Sequence, residues 1–131
     1  MMTIDEHIEF WVNSAEKDLE SASNMYRAEI YDWCLFVGHL ALEKLLKAIW
    51  IKTNKNQFPP KIHNLLKLAQ NTDIQLSEEQ KEYLRIVNQF NLEARYQEYK
   101  KSFHNLATKE FASNHFDKIK SLYLWLKSQI K

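Results

Sequence analysis

Apolar residues recur at intervals of three and four along most of the chain, and polar segments separate these runs. Such spacing places apolar side chains on one face of a helix. The runs cover residues 4–26, 32–53, 62–69, 83–94 and 111–130. The pattern therefore predicts four long helices and one short helix, the third along the chain. Short connections between them favour an all-α, antiparallel up-and-down four-helix bundle with one additional short helix.

The second run is apolar almost all the way round, which is typical of a helix buried among other helices. Gly38 lies on a face of mostly small residues, where a neighbouring helix can come close despite the cost of glycine in a helix, about 1 kcal/mol relative to alanine. The opposite side carries a polar stripe, because spacings of seven, four and four residues separate Asp32, His39, Glu43 and Lys47. The sequence thus predicts a central helix that carries either an internal salt link or a site.

Helix boundaries follow from caps and breakers. Thr3 with Glu6, and Ser77 with Gln80, fit capping boxes, and Pro59-Pro60 closes the clearest loop.

The segment 96–106 has no clean period, so we predict an ordered loop or a broken helix there.

Composition narrows the class of protein. The 131 residues suffice for one domain, which we expect to span residues 1–131. Basic and acidic residues nearly balance, at 18 and 17, so net charge gives no argument for a nucleic-acid partner. The single cysteine, and the absence of an apolar run of transmembrane length, favour a soluble cytoplasmic protein without a membrane partner.

Several chemistries are excluded by the residues present. One glycine cannot build a glycine-rich phosphate loop, and one cysteine cannot build a cysteine-based zinc site. No serine lies in a nucleophile-elbow context. We therefore predict neither a metal site nor a cofactor.

The polar stripe is the first candidate site. Glu43 and Lys47 have the favourable order for an ion pair one helical turn apart, with His39 as a hydrogen-bonded neighbour. The alternative is that His39, Glu43, Lys44 and Lys47 line a ligand site.

A basic-aromatic segment after the fourth helix is the second candidate. Guanidinium and ammonium groups hold phosphates, and aromatic faces stack bases. Arg95 and His104 could also cleave RNA, the His moving the proton of the 2′-hydroxyl and the Arg offsetting phosphorane charge. The alternative is that Arg95 braces a helix end while the aromatics cover the core. The segment comprises Arg95, Tyr96, Tyr99, Lys100, Lys101, Phe103 and His104.

His63 is the third candidate, directly before Asn64 at the start of the short helix. A residue at this position commonly caps or orients the helix.

The chain resembles the HEPN domain, the nucleotide-binding helical bundle of higher eukaryotes and prokaryotes. The resemblance covers about residues 8–129 and depends on four motifs in order. They are Ala15-Glu16-Lys17-Asp18-Leu19, Ala41-Leu42-Glu43-Lys44-Leu45-Leu46-Lys47-Ala48, His63-Asn64-Leu65 and Ala94-Arg95-Tyr96.

The resemblance implies a homodimer, often encoded beside a small nucleotidyltransferase in pairs similar to toxin–antitoxin modules. In such pairs the HEPN protein can be a metal-independent RNase. HEPN ribonucleases share an Arg followed by a His after four to six residues, whereas eight residues separate Arg95 from His104 here. This spacing argues against an enzyme. The motif positions carried over are Glu43, Lys44, Lys47, His63, Arg95 and Tyr96.

Three hypotheses follow. The favoured one is a module that binds nucleotide or RNA and docks a nucleotidyltransferase, with His39, Glu43, Lys44, Lys47, His63, Arg95, Tyr96 and Lys100 as ligand-binding residues. The second is an RNase toxin with Arg95 and His104 as catalytic residues. The third is a purely structural interaction bundle.

Overall fold

The computed structural model describes the backbone of residues 2–95 and 97–130, and the side chains of these residues except those of 94, 95 and 97–99. Within these ranges every regular element is an α-helix. The six helices are α1 (Ile4–Arg27), α2 (Tyr31–Asn54), α3 (Leu65–Gln70), α4 (Glu78–Arg95), α5 (Gln97–Leu106) and α6 (Lys109–Ser128). No described helix combines the length and apolar character needed to cross a bilayer.

Helix α2 is the centre of the fold, as its sequence predicts. It packs against each of the other five helices, and apolar side chains on several of its sides are buried. Gly38 faces α6, where an added Cβ would lie 3.2 Å from Cδ1 and 3.4 Å from Cγ2 of Ile119. The small side of α2 is therefore a close helix–helix contact.

Predicted caps determine where several helices begin. The Thr3 backbone N–H donates to Glu6 Oε1 at 2.9 Å, and the Glu6 N–H donates to Thr3 Oγ1 at 3.1 Å, which completes a capping box. Ser77 and Gln80 form the same reciprocal pair, at 2.9 and 3.0 Å. Thr108 Oγ1 accepts from the Phe111 N–H at the start of α6. The two predicted capping boxes therefore lie at the starts of α1 and α4.

The segment predicted as an ordered loop or a broken helix is helical over Gln97–Leu106, so the loop alternative is wrong. It has few apolar positions from which to infer a period, but two of the residues at its end are buried. Phe103 is 1% exposed and stacks on Phe90 of α4 with ring centroids 5.6 Å apart, and Ala107 is buried just beyond α5. Phe103 thus attaches α5 to the core, while Lys100, Lys101 and His104 face solvent.

Candidate functional site

The polar stripe of α2 forms a buried cluster around the Glu43 carboxylate. Glu43 Oε2 accepts from Lys47 Nζ at 3.1 Å, and Oε1 accepts from His63 Nδ1 at 3.0 Å. The side chains of Glu43 and Lys47 are only 6% and 9% exposed, whereas that of His63 is 53% exposed. Both carboxylate oxygens therefore have partners within the protein, and the ion pair expected from the sequence is present. We call His39, Glu43, Lys47 and His63 the Glu43 cluster.

His39 lies beneath this cluster and is fully buried. Its Nε2 is 3.1 Å from the His63 carbonyl oxygen, which can only accept, so Nε2 carries a proton. Its Nδ1 is 3.5 Å from Asn91 Nδ2 of α4 and 4.0 Å from Glu43 Oε1. His39 thus links α2 to α4 and to the segment that leads into α3.

Lys44 and Lys47 of α2 both contact residues of α1. Lys44 Nζ lies 2.8 Å from Asp18 Oδ2 and donates to Ser14 Oγ at 2.8 Å. Lys47 Nζ lies over the Trp11 ring, 5.3 Å from its centroid. Both ammonium groups are therefore engaged by partners within the bundle, so the stripe acts chiefly as an internal brace.

Asn64, rather than His63, caps α3. Asn64 Oδ1 accepts from the Lys67 N–H at 3.1 Å and from Asn88 Nδ2 at 3.1 Å. Asn88 Oδ1 in turn accepts from the Leu65 N–H at 2.9 Å. The His63 side chain contacts Glu43 instead. The motif His63-Asn64-Leu65 therefore connects the start of α3 to both α2 and α4.

A second polar cluster lies where the first turn of α2 meets α5. Asp32 Oδ2 is 3.2 Å from His104 Nδ1, and the His104 side chain is 73% exposed. Together with Lys100 and Lys101, these residues line an open cavity of about 330 Å³. We call Asp32, Lys100, Lys101 and His104 the basic cluster. Among these lining residues, two lysines and one histidine accompany one carboxylate.

Asp32 fixes the geometry of this cluster. Its Oδ1 accepts from the Trp33 N–H at 2.9 Å, while Oδ2 faces His104. Because a carboxylate only accepts, His104 Nδ1 is the donor in this contact. Nε2 of the exposed His104 ring is therefore the nitrogen that a ligand can contact.

The structure separates the residues that the sequence grouped together. The Glu43 cluster contains His39, Glu43, Lys47 and His63, whereas Lys100 and His104 lie in the basic cluster. The α2 residue of the basic cluster is Asp32, eleven residues before Glu43. That separation is roughly 16 Å along a helix axis. Phe103 belongs to the core and is not available to a ligand.

Three predicted residues cannot be placed in either cluster. Arg95 is the last residue of α4 and Tyr99 lies in α5, but the side chains of both, like the whole of Tyr96, lie outside the described residues. The sequence-based hypotheses missed Asp32 as the partner of His104 and Trp33 as a neighbour of Lys100. The position of Asp32 on the polar stripe was the one signal for its role.

A wider cleft between α4 and α6 lies apart from both clusters. Its volume is about 830 Å³, and apolar side chains of Tyr83, Ile86, Leu122 and Trp125 contribute to its walls. The hydroxyl of Tyr83, one of the lining residues, lies 3.0 Å from both Nδ1 and the carbonyl oxygen of His115. We call this feature the α4–α6 cleft.

Burial changes the acidity of several core groups. It raises the pKa of the Tyr83 hydroxyl and lowers that of His115, to which the Lys118 charge also contributes. Burial raises the pKa of the Cys34 thiol to about 12, so this cysteine is an inert core residue. Among the described residues no three His, Cys, Asp or Glu side chains are grouped so as to hold a metal ion.

Comparison with known proteins supplies the family. The family model described as HEPN domain matches residues 8–129. The protein TT1696 from Thermus thermophilus has a similar crystal structure, with a TM-score of 0.78, 18% identity, and coverage of 92% of this chain and 96% of that chain. ST0689, described as an archaeal HEPN homologue, has a TM-score of 0.67 at 19% identity, with both chains fully covered. No curated protein matches the chain in sequence.

Proposed function

Because the chain belongs to the HEPN family, we propose that it binds nucleotides or RNA, and that the basic cluster is where phosphate groups bind. The observation that carries this proposal is the convergence of Lys100, Lys101 and His104 on one open cavity. Ammonium groups attract phosphates as point charges.

Burial favours the basic cluster over the Glu43 cluster as the ligand site. In the Glu43 cluster, Lys47 and Glu43 neutralise each other, and His39 donates to a backbone carbonyl. An incoming phosphate would have to displace these bonds and meet the Glu43 carboxylate. Lys100 and Lys101 are instead exposed, and among the side chains that the structure describes the cavity lining contains one carboxylate, that of Asp32.

The proposal is tested by the binding of a fluorescent single-stranded RNA, followed by anisotropy. Charge-assisted contacts are worth about 1.5–3 kcal/mol each, so Lys100→Ala with Lys101→Ala should weaken binding at least about tenfold. The matched control is Lys81→Ala with Lys118→Ala, which removes the same charge elsewhere and should change affinity less than about twofold. Equal affinities of the two double variants would refute the proposal and leave an interaction bundle without this ligand.

A second candidate function, metal-independent RNA cleavage, is favoured by the Asp32–His104 contact. A carboxylate at Nδ1 orients the imidazole and leaves Nε2 to accept a proton. The 2′-hydroxyl proton would pass to His104 Nε2, the 2′-oxygen would bond to phosphorus, and the bond to the 5′-oxygen would break. The products are a 2′,3′-cyclic phosphate and a 5′-hydroxyl that takes a proton from solvent. Arg95 is assigned to offset the phosphorane charge.

Cleavage is tested by incubating the purified protein with total RNA in EDTA. RNA should be cut by the wild type and spared by His104→Ala and Arg95→Ala. Asp32→Asn should retain RNA binding but cut more slowly, because it no longer stabilises the imidazolium that forms. Intact RNA after incubation with the wild type would leave binding as the function.

We further propose that the chain forms a homodimer and docks a small nucleotidyltransferase, as in a toxin–antitoxin-like module. The support is the family resemblance, together with exposed apolar side chains such as Ile86 and Leu124 on α4 and α6. Light scattering of the purified chain should give twice the 15.7 kDa monomer mass. A monomer that also fails to retain a nucleotidyltransferase encoded next to it would contradict both parts.

A further inference from the structure

Trp33 lies beside the basic cluster and contacts one of its lysines. Trp33 directly follows Asp32 in α2, and Lys100 Nζ lies over its ring, 5.4 Å from the centroid. Phe36 packs edge-on against the same indole at 5.4 Å and 84°. The ring is therefore held by an aromatic neighbour, while one face is covered by an ammonium group.

The group that covers this face is replaceable. Lys100 is exposed and Trp33 is partly exposed, so their contact lies at the surface of the bundle. A cation–π contact at an exposed site is weak, whereas an ammonium–phosphate contact is charge-assisted. A phosphate entering the cavity would draw Lys100 off the ring and leave the indole face open.

From this arrangement we infer that Trp33 is the base-stacking platform of the ligand site. The inference rests on the proposed phosphate-binding role of the basic cluster and names its substrate class, which is single-stranded nucleic acid or a nucleotide with an unpaired base. When Lys100 and Lys101 hold the phosphate, the adjoining base takes the place of the ammonium on the indole. Bases inside a duplex are stacked on each other and cannot reach such a platform.

Another aromatic residue predicted for base stacking is excluded by its position. Phe103 is 1% exposed and packs on Phe90 in the core. Trp33, in contrast, is partly exposed and contacts a lysine that lines the cavity. Of these two residues, the stacking role is therefore assigned to Trp33.

The test compares two oligomers of about ten residues that carry the same phosphates: one of uridine and one abasic. The wild type should bind the uridine oligomer about tenfold more tightly, since stacking on an aromatic side chain strengthens binding by at least that order. Trp33→Leu should bring the ratio close to one, and Trp33→Phe should keep most of it. Trp125→Leu, in the α4–α6 cleft, is the matched control and should keep the wild-type ratio. Circular dichroism melting confirms that each variant is folded.

The outcomes separate the two proposals. Equal binding of both oligomers by the wild type, or an unchanged ratio in folded Trp33→Leu, would overturn the stacking assignment and leave phosphate binding intact. Failure of the wild type to bind either oligomer would overturn the phosphate site and the platform together. Lys100→Ala with Lys101→Ala should weaken binding of both oligomers, which distinguishes loss of phosphate contacts from loss of stacking.

Discussion

Glu43 shows how one buried carboxylate connects three parts of the chain. It accepts from Lys47 in its own helix and from His63 in the segment before α3, and the His63 carbonyl accepts from His39. A buried ion pair contributes little net stability compared with apolar residues of the same size, but removal of one partner leaves a buried charge unpaired. The Glu43 side chain is therefore a position where truncation is costly.

We expect Glu43→Ala to lower the free energy of unfolding by about 3–5 kcal/mol, because Lys47 would be left buried without its counter-charge. Glu43→Leu combined with Lys47→Leu should recover much of that loss, since no charge remains buried. Urea unfolding followed by circular dichroism measures both changes.

The control for Glu43 is an exposed ion pair on α4. Glu82 and Arg85 lie 2.8 Å apart with side chains 65% and 52% exposed, so Glu82→Ala should cost less than about 1 kcal/mol. Equal losses for Glu43→Ala and Glu82→Ala would show that the buried pair has no special role.

His115 should make stability depend on pH. Burial and the charge of Lys118 lower its pKa in the folded state. The unfolded chain then takes up the proton first, so the free energy of unfolding should fall as the pH decreases below the ordinary histidine pKa of about 6.5. His115→Gln removes this pH-dependent contribution to the free energy of unfolding. Urea titrations at about pH 7.5 and about pH 5 should show that the free energy of unfolding decreases less on acidification for the variant than for the wild type. Identical losses would mean that His115 titrates alike in both states.

At the level of single residues, the sequence predicted contacts that are close along the chain. The Thr3–Glu6 capping box and the Glu43–Lys47 ion pair follow from spacings of three and four residues. Contacts across the fold, such as Asp32 with His104, join residues 72 positions apart. No local pattern encodes such a pairing, so this half of the candidate site needed the structure.

At the level of elements, α2 and α6 pack closely at Gly38. An alanine Cβ at that position would lie 3.2 Å from Ile119 Cδ1, which is tighter than ordinary van der Waals contact. Ile119 is fully buried and has little room to move. The helix-forming advantage of alanine and the steric cost of its methyl group therefore oppose each other.

A double-mutant cycle should detect this contact. Ile119→Val removes the Cδ1 atom and should cost about 0.5–1.5 kcal/mol in the wild type. In the Gly38→Ala background it should cost less, because the added methyl fills the vacated space, which gives a coupling energy of about 0.5 kcal/mol or more. The same cost in both backgrounds would place the two side chains out of contact.

Helix α5 marks the limit of periodicity as a guide. Long elements such as α1 and α6 have many apolar positions, and their extents were predicted to within a few residues. In helix α5 the buried Phe103 packs on Phe90 of another helix. A short helix seated by tertiary contacts has too few repeats to show a period.

At the level of the whole molecule, the central helix connects two polar clusters of different character. The Glu43 cluster is largely buried and joins α2 to the segments around it, whereas the basic cluster is open and lies where α2 meets α5. The fold and the importance of α2 were predictable from hydrophobic patterning. The sequence did not predict that the Glu43 cluster would be buried and the basic cluster open. Burial depends on how α3, α4 and α5 cover the polar stripe of α2.

The salt dependence of RNA binding tests the proposed phosphate site most directly. Each phosphate neutralised in a single strand contributes about −0.7 to the slope of log K against log salt concentration. If Lys100 and Lys101 each contact a phosphate, their double alanine variant should have a slope shallower by about 1.4 than the wild type. Lys81→Ala with Lys118→Ala should keep the wild-type slope. Parallel slopes for the wild type and the Lys100/Lys101 variant would contradict the proposed phosphate site.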